Sequence, residues 1–271
     1  MKRAHVPYST LSSTFACCLA LLAGCAGVPR EFHPLEPLAP QAFTHQLFDE
    51  LLRASVLDGR VDYPAIQADG RFGAYVSQLN RVDPTGLPTD RDQLAFWINA
   101  YNAFAIQGIL DGYSPGTLAG RYRYFLGRDY RVGGERITLY DLERNLLIPD
   151  FREPRIHFAI VCASRSCPKL REEAYQAGRL DAQLDERARA FINDPARNRF
   201  DREKRVASLS MIFKWFEDDF AAEAGSVLGY VARYVADQDL ARDLKSAPFT
   251  VEFLEYDWRL NGPPPMTNAE R

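Results

Sequence analysis

The chain has 271 residues, a formal net charge of -3, 46% hydrophobic and 25% charged residues. That length suits one substantial domain and is short for two. The absence of a basic excess excludes an ordinary nucleic-acid-binding surface, so no nucleic-acid partner is expected.

The first residues do not read as part of a fold. Lys2 and Arg3 precede an apolar run from Phe15 to Leu22, the pattern of a secretory signal over residues 1–24, and one too short to span a bilayer stably. It ends in Leu21-Leu22-Ala23-Gly24-Cys25, which closely resembles the lipobox of bacterial lipoproteins. The resemblance implies that Cys25 becomes the lipidated first residue of the mature chain. Several acyl chains on one residue exceed the marginal hold of a single chain, so a lasting membrane anchor is expected. Ala26 stands where an aspartate is linked to inner-membrane retention, which points to the periplasmic side of the outer membrane. Pro29, Pro34, Pro37 and Pro40 then mark residues 25–41 as a tether.

A single α+β domain is expected over residues 42–262, with several helices packed around a small, mainly antiparallel or mixed sheet. Phe43, Leu47 and Leu51 recur at helical spacing, and residues 65–79 repeat the pattern with Phe72, Tyr75, Val76 and Leu79. Thr89, with Asp92 three positions on, caps a helix over residues 91–110. That helix is apolar nearly all round, which predicts burial. Asn99 and Asn102 share one of its faces, where they either clamp a neighbouring loop or point into a ligand site. Residues 122–125 and 130–132 read as strands, and Gly133-Gly134 fits a two-residue hairpin turn to Ile137. Thr138 with Asp141 opens a short helix carrying Glu143. A further helix spans about 180–192, and Ser210 caps another that Gly225 ends. Residues 249–258, with Phe249, Val251 and Phe253 alternating, read as a late strand, and residues 263–271 read as a disordered tail.

The central stretch is Arg155-Ile156-His157-Phe158-Ala159-Ile160-Val161-Cys162, a β-branched and aromatic run that predicts a buried strand. Cys167-Pro168 reads as the N-cap and first turn of a helix. A thiol there would feel the positive end of the helix dipole, which lowers its pKa. Cys167 or Cys162 is then a candidate nucleophile, with His157 as its base and Glu143 or Asp257 as the group that orients the base. Regular strand geometry works against a direct pair: at a rise of about 3.3 Å per residue, His157 and Cys162 would lie roughly 16 Å apart on opposite faces. The alternative is a Cys162–Cys167 disulfide, as expected of two close cysteines in an oxidising compartment. No P-loop or Rossmann fingerprint is present, so no cofactor is expected. His157 with the two cysteines lacks the spacing of a recognised zinc motif, so no metal is expected either.

Four separated motifs carry a wider resemblance. They are Phe96-Trp97-Ile98-Asn99-Ala100-Tyr101-Asn102, the stretch from His157 to Leu170, Lys214-Trp215-Phe216-Glu217-Asp218-Asp219-Phe220, and Tyr256-Asp257-Trp258-Arg259-Leu260-Asn261. In order and spacing the chain, from about Phe43 to Asn261, resembles the domain of unknown function 547 family. The resemblance implies a single domain found on secreted or lipid-anchored bacterial proteins, and no established activity. Two functions are therefore expected as alternatives. One is a thiol-dependent hydrolase or acyltransferase acting on amide bonds of cell-wall material. The other is a non-catalytic envelope module that binds envelope material or an envelope protein, with Asn99, Asn102 and Lys214 as candidate ligand contacts.

Overall fold

The computed structural model describes residues 36–267. The signal sequence, Cys25 with its expected lipid, most of the tether and the last residues of the tail lie outside the described residues. The end of the tether is already folded: Leu38 bridges Val82, and its N–H donates to the Arg81 carbonyl at 2.9 Å.

The first half of the body is helical. Helices α2 (Tyr63–Ala68) and α3 (Gly70–Arg81) pack on α4 (Asp90–Leu110), and α1 (Gln46–Ser55) packs on α2 and α3. Thr89 caps α4 as its sequence requires, its hydroxyl accepting from the Asp92 N–H at 3.1 Å. Fourteen of its twenty-one residues are buried, so α4 is the axis of the larger hydrophobic cluster. Short strands β1 (Val56–Leu57) and β2 (Arg60–Val61) form a hairpin beside α1.

Residues 122–125, expected as a strand, instead end helix α5 (Leu118–Phe125). Thr117 supplies the cap by accepting from the Gly120 N–H, and that local bond outweighs the β preference of the aromatic run. The hairpin of β3 (Tyr130–Val132) and β4 (Glu135–Ile137) forms as expected, with Gly133 and Gly134 both at positive φ. Thr138 caps α6 (Leu139–Asp141), which continues through a π-helical stretch, Leu142–Leu147, into α7 (Ile148–Phe151).

The second half holds α8 (Leu180–Ile192), α9 (Met211–Trp215), α10 (Glu217–Ala224), α11 (Val227–Tyr234) and α12 (Gln238–Ser246). Ser210 caps α9, and Gly225, at positive φ, ends α10. A three-stranded mixed sheet joins β5 (Arg199–Asp201), β6 (Val206–Leu209) and β7 (Thr250–Phe253), with β5 antiparallel and β7 parallel to β6. The fold is α+β, its strands divided among three small sheets. A second hydrophobic cluster centres on Phe158, Phe213, Phe220 and Tyr230. The stretch 154–167 runs between the clusters: Ile156, Ile160 and Val161 belong to the first and Phe158 to the second.

Candidate functional site

The stretch that positions the site is not a strand. Glu153 accepts from the Arg155 N–H, and Pro154, with its fixed φ, starts a 3-10 helix, Pro154–Phe158. His157 and Phe158 are thereby wound into a turn rather than alternated across a sheet. The chain then leaves the helix and belongs to no strand, its one bridge being Ser164 to Leu260. Asn102 takes the place of a β-ladder: its amide donates to the Ala159 carbonyl at 3.0 Å, and its carbonyl accepts from the Val161 N–H at 2.8 Å. Asn99 does the same for Tyr175, at 2.8 and 2.9 Å. Both carboxamides are buried and spent on backbone, which makes them clamps rather than ligand contacts. A run that is apolar on every side reads as a strand, yet its hydrogen-bonding groups are satisfied here by one side chain.

Beyond Val161 the backbone reverses at Ala163, whose φ is +62°. The reversal is held by the C-terminal segment. Asn261 N–H donates to the Ala163 carbonyl, Arg165 N–H to the Arg259 carbonyl, and Asp257 N–H to Ser166 Oγ at 2.8 Å. Cys167 closes a turn through its N–H to the Ser164 carbonyl, and the residues after Pro168 are not helical. No helix dipole acts on Cys167. Its sulfur is bonded to that of Cys162, so at rest neither is a free thiolate and the expected resting nucleophile is absent. The bridge is closely surrounded. The Ser164 and Tyr256 hydroxyls lie 3.2–3.4 Å from both sulfurs, and the Cys162 N–H donates to Cys167 Sγ at 3.0 Å. Burial pushes the Tyr256 phenol up, so it keeps its proton. Arg197 ties the loop from outside, donating to the Cys167 carbonyl at 2.7 Å.

His157 is buried beside Phe216, with ring centroids 3.8 Å apart, and its Nε2 lies 2.7 Å from Asp219 Oδ2. Burial drives its pKa down, an effect that Asp219 partly offsets and Arg144 reinforces. A neutral imidazole donating from Nε2 to the carboxylate keeps its lone pair on Nδ1, and that atom is buried without a hydrogen-bond partner. The orienting carboxylate is therefore Asp219, in the first turn of α10, and neither of the two expected from sequence. Glu143 projects from the π-helical stretch and accepts from Tyr101 Oη at 3.2 Å; burial raises its pKa. Asp257 is turned outward into a forked pair with Arg259, whose hydrogen bonds lower it to about 2. Lys214 is exposed, with its ammonium 5.5 Å from the Phe253 ring centre.

His157, Glu143 and both cysteines line one cleft of about 610 Å³. Its other walls are rich in aromatic rings: Trp215, Tyr256 and Trp258 form a cluster with centroids 4.5–5.7 Å apart, Tyr122, Phe125 and Phe216 join them, and Leu118, Leu126, Arg121 and Arg144 also line it. Among the described residues no group of three or more His, Cys, Asp or Glu side chains is arranged to hold a metal ion.

Residues 85–192 match the model of a family described as "Protein of unknown function, DUF547". That match covers less than half of the chain. No curated protein and no solved structure is similar enough to this chain to match. The DUF547 match runs from just before α4 to the end of α8, so it includes Asn99, Asn102, Glu143, His157 and both cysteines. The cleft is completed from outside it, by Trp215, Phe216, Tyr256 and Trp258, while Asp219 reaches His157 from α10. Of these, Asp219 was hidden in sequence because Glu217-Asp218-Asp219 resembles the solvated acidic start of any helix. The signal that separates it is Phe216, three positions earlier and buried beside His157, which puts position 219 next to the core.

Proposed function

We propose that this protein is a lipid-anchored ligand-binding module of the bacterial envelope, held on the periplasmic side of the outer membrane through Cys25. The Lys2–Cys25 signature supports the anchor, and no described helix is long and apolar enough to cross a membrane. The observation that carries the binding reading is the cleft itself: a cavity of about 610 Å³ with aromatic walls and a closed disulfide in one of them. A bridged pair stiffens the loop that Tyr256 and Asn261 embrace and leaves both sulfurs unreactive at rest. Binding of envelope material, without thiol chemistry, is the function this arrangement suits best.

One observation favours the hydrolase reading as a second. His157, oriented by Asp219, and both sulfurs line the same cleft, so reduction by an envelope dithiol would place thiols in a cavity that also holds an imidazole. Double replacement Cys162→Ser/Cys167→Ser separates the two. The binding reading expects ligand capture to persist and envelope amide bonds to be left intact by wild type with or without dithiothreitol. Release of amide fragments by the reduced wild type, and not by the double variant, would establish the hydrolase instead.

A further inference from the structure

The cleft carries cationic groups without counter-charges. Arg121, on α5, has its guanidinium carbon 4.6 Å from the Trp258 ring centre, and Arg144, on the π-helical stretch, has its own 4.2 Å from that of Phe216. Neither forms an ion pair with a carboxylate among the described residues, although most of the body's arginines do; Arg155, for example, meets Glu153, Asp181 and Asp185. The contrast with a neighbouring hollow is direct. There Arg53 and Arg171 are matched by Glu173, while Glu186 answers both Arg171 and Arg187. In the cleft the single lining carboxylate is Glu143, already bonded to Tyr101; burial favours its neutral form, and the nearby Arg144 charge offsets that only in part.

Two of the cleft's phenol hydroxyls are already committed within the fold. The hydroxyl of Tyr101 is committed to Glu143, and that of Tyr256 to Ser164 and the sulfurs. An apolar body fits the walls, because Leu118, Tyr122 and Leu126 stand unusually exposed on the α5 side and Trp215 on the other.

We propose that the cleft binds a single-chain anionic amphiphile, a long-chain carboxylate whose apolar chain lies against Leu118, Tyr122 and Trp215 while its acid group pairs with Arg121 and Arg144. The proposal rests on the reading of this cleft as a ligand site and adds the class of ligand. Charge complementarity decides it. Two guanidiniums stacked on rings are weakly hydrated and pre-oriented, the arrangement that favours a carboxylate over a neutral or cationic head.

Two of the chain's three tryptophans, Trp215 and Trp258, line the cleft, so intrinsic fluorescence reports its occupancy. The full lipidated chain in phosphatidylcholine nanodiscs is titrated with decanoate, decanol and decyltrimethylammonium, with empty nanodiscs as the partition control. Decanoate is expected to saturate the signal, about tenfold more tightly than decanol, and the cation to be weaker still. The Arg121→Ala/Arg144→Ala variant is expected to lose that preference while still binding decanol. Decanol binding as tightly as decanoate, or an unchanged preference in the double variant, would overturn the ligand class and leave the cleft a ligand site. Saturation by none of the three would overturn both.

Discussion

At α4 the polar atoms of Asn99 and Asn102 are each matched to a backbone group, whereas across the core, around His157, several polar groups have no protein partner. Asn99 and Asn102 each close two hydrogen bonds of 2.8–3.0 Å on a segment that belongs to no strand. His157 Nδ1 is buried and unpaired, and Arg121 and Arg144 lie on aromatic rings without a carboxylate. The first region uses buried polarity to hold chain in place; the second leaves polarity without a hydrogen-bond or ion-pair partner in the fold. The difference teaches that burial alone does not mark a site. What marks it is the hydrogen-bonding capacity left over after the fold has been satisfied.

That comparison is broken most forcefully at Asn102. Asn102→Ala orphans the Ala159 carbonyl and the Val161 N–H together and should cost about 3 kcal/mol in urea unfolding. A loss below about 1 kcal/mol would mean that the segment is held by packing alone. Removing the bridge with Cys162→Ser/Cys167→Ser should cost less, about 2 kcal/mol, because the closed loop is short. The same denaturation series reads it.

Acid should unfold the protein partly through its buried imidazoles. His45 accepts or donates at Nδ1 to Tyr75 Oη at 2.7 Å, and desolvation lowers it to about 3; His157 is lowered by the same cause. Both stay neutral in the fold while the unfolded chain binds protons from about pH 6.5 downward. Stability is therefore full above that pH and falls as pH drops toward 3. His45→Gln should flatten the slope between about pH 6.5 and 5 in thermal melts, where carboxylates contribute little. A smaller effect is expected at the site. Asp219→Asn removes the one carboxylate that supports the His157 cation, so the ring's pKa, followed by NMR, should fall further, with about 1 kcal/mol of lost stability. Smallest of all, Arg144→Ala should change stability by no more than about 0.5 kcal/mol, since the fold draws no ion pair from it.

How far the sequence reached follows the same division. Helix α4 was legible because its Thr89 cap, apolar interior and length agree, and the β3–β4 hairpin because Gly133-Gly134 admits little else. The stretch 154–167 was not, because its apolar run between two clusters has the composition of a buried strand, and the hydrogen bonds that distinguish the two come from Asn102, over fifty residues away. Glu143, His157, Cys162 and Cys167 line one cleft. Asp257 and Lys214 were drawn by chemical type alone and face elsewhere, while Asp219, Arg121 and Arg144 required the packing of α5 and α10 to be known.

The central claim is that the fold's thiols are spent and its cleft is not. Protein isolated from the envelope without reductant should be alkylated by iodoacetamide and the peptide spanning residues 155–171 weighed. No label is expected on Cys162 or Cys167 until dithiothreitol is added, and two labels after it. Label on either cysteine in the untreated protein would contradict that claim and return the nucleophile to the centre of the molecule.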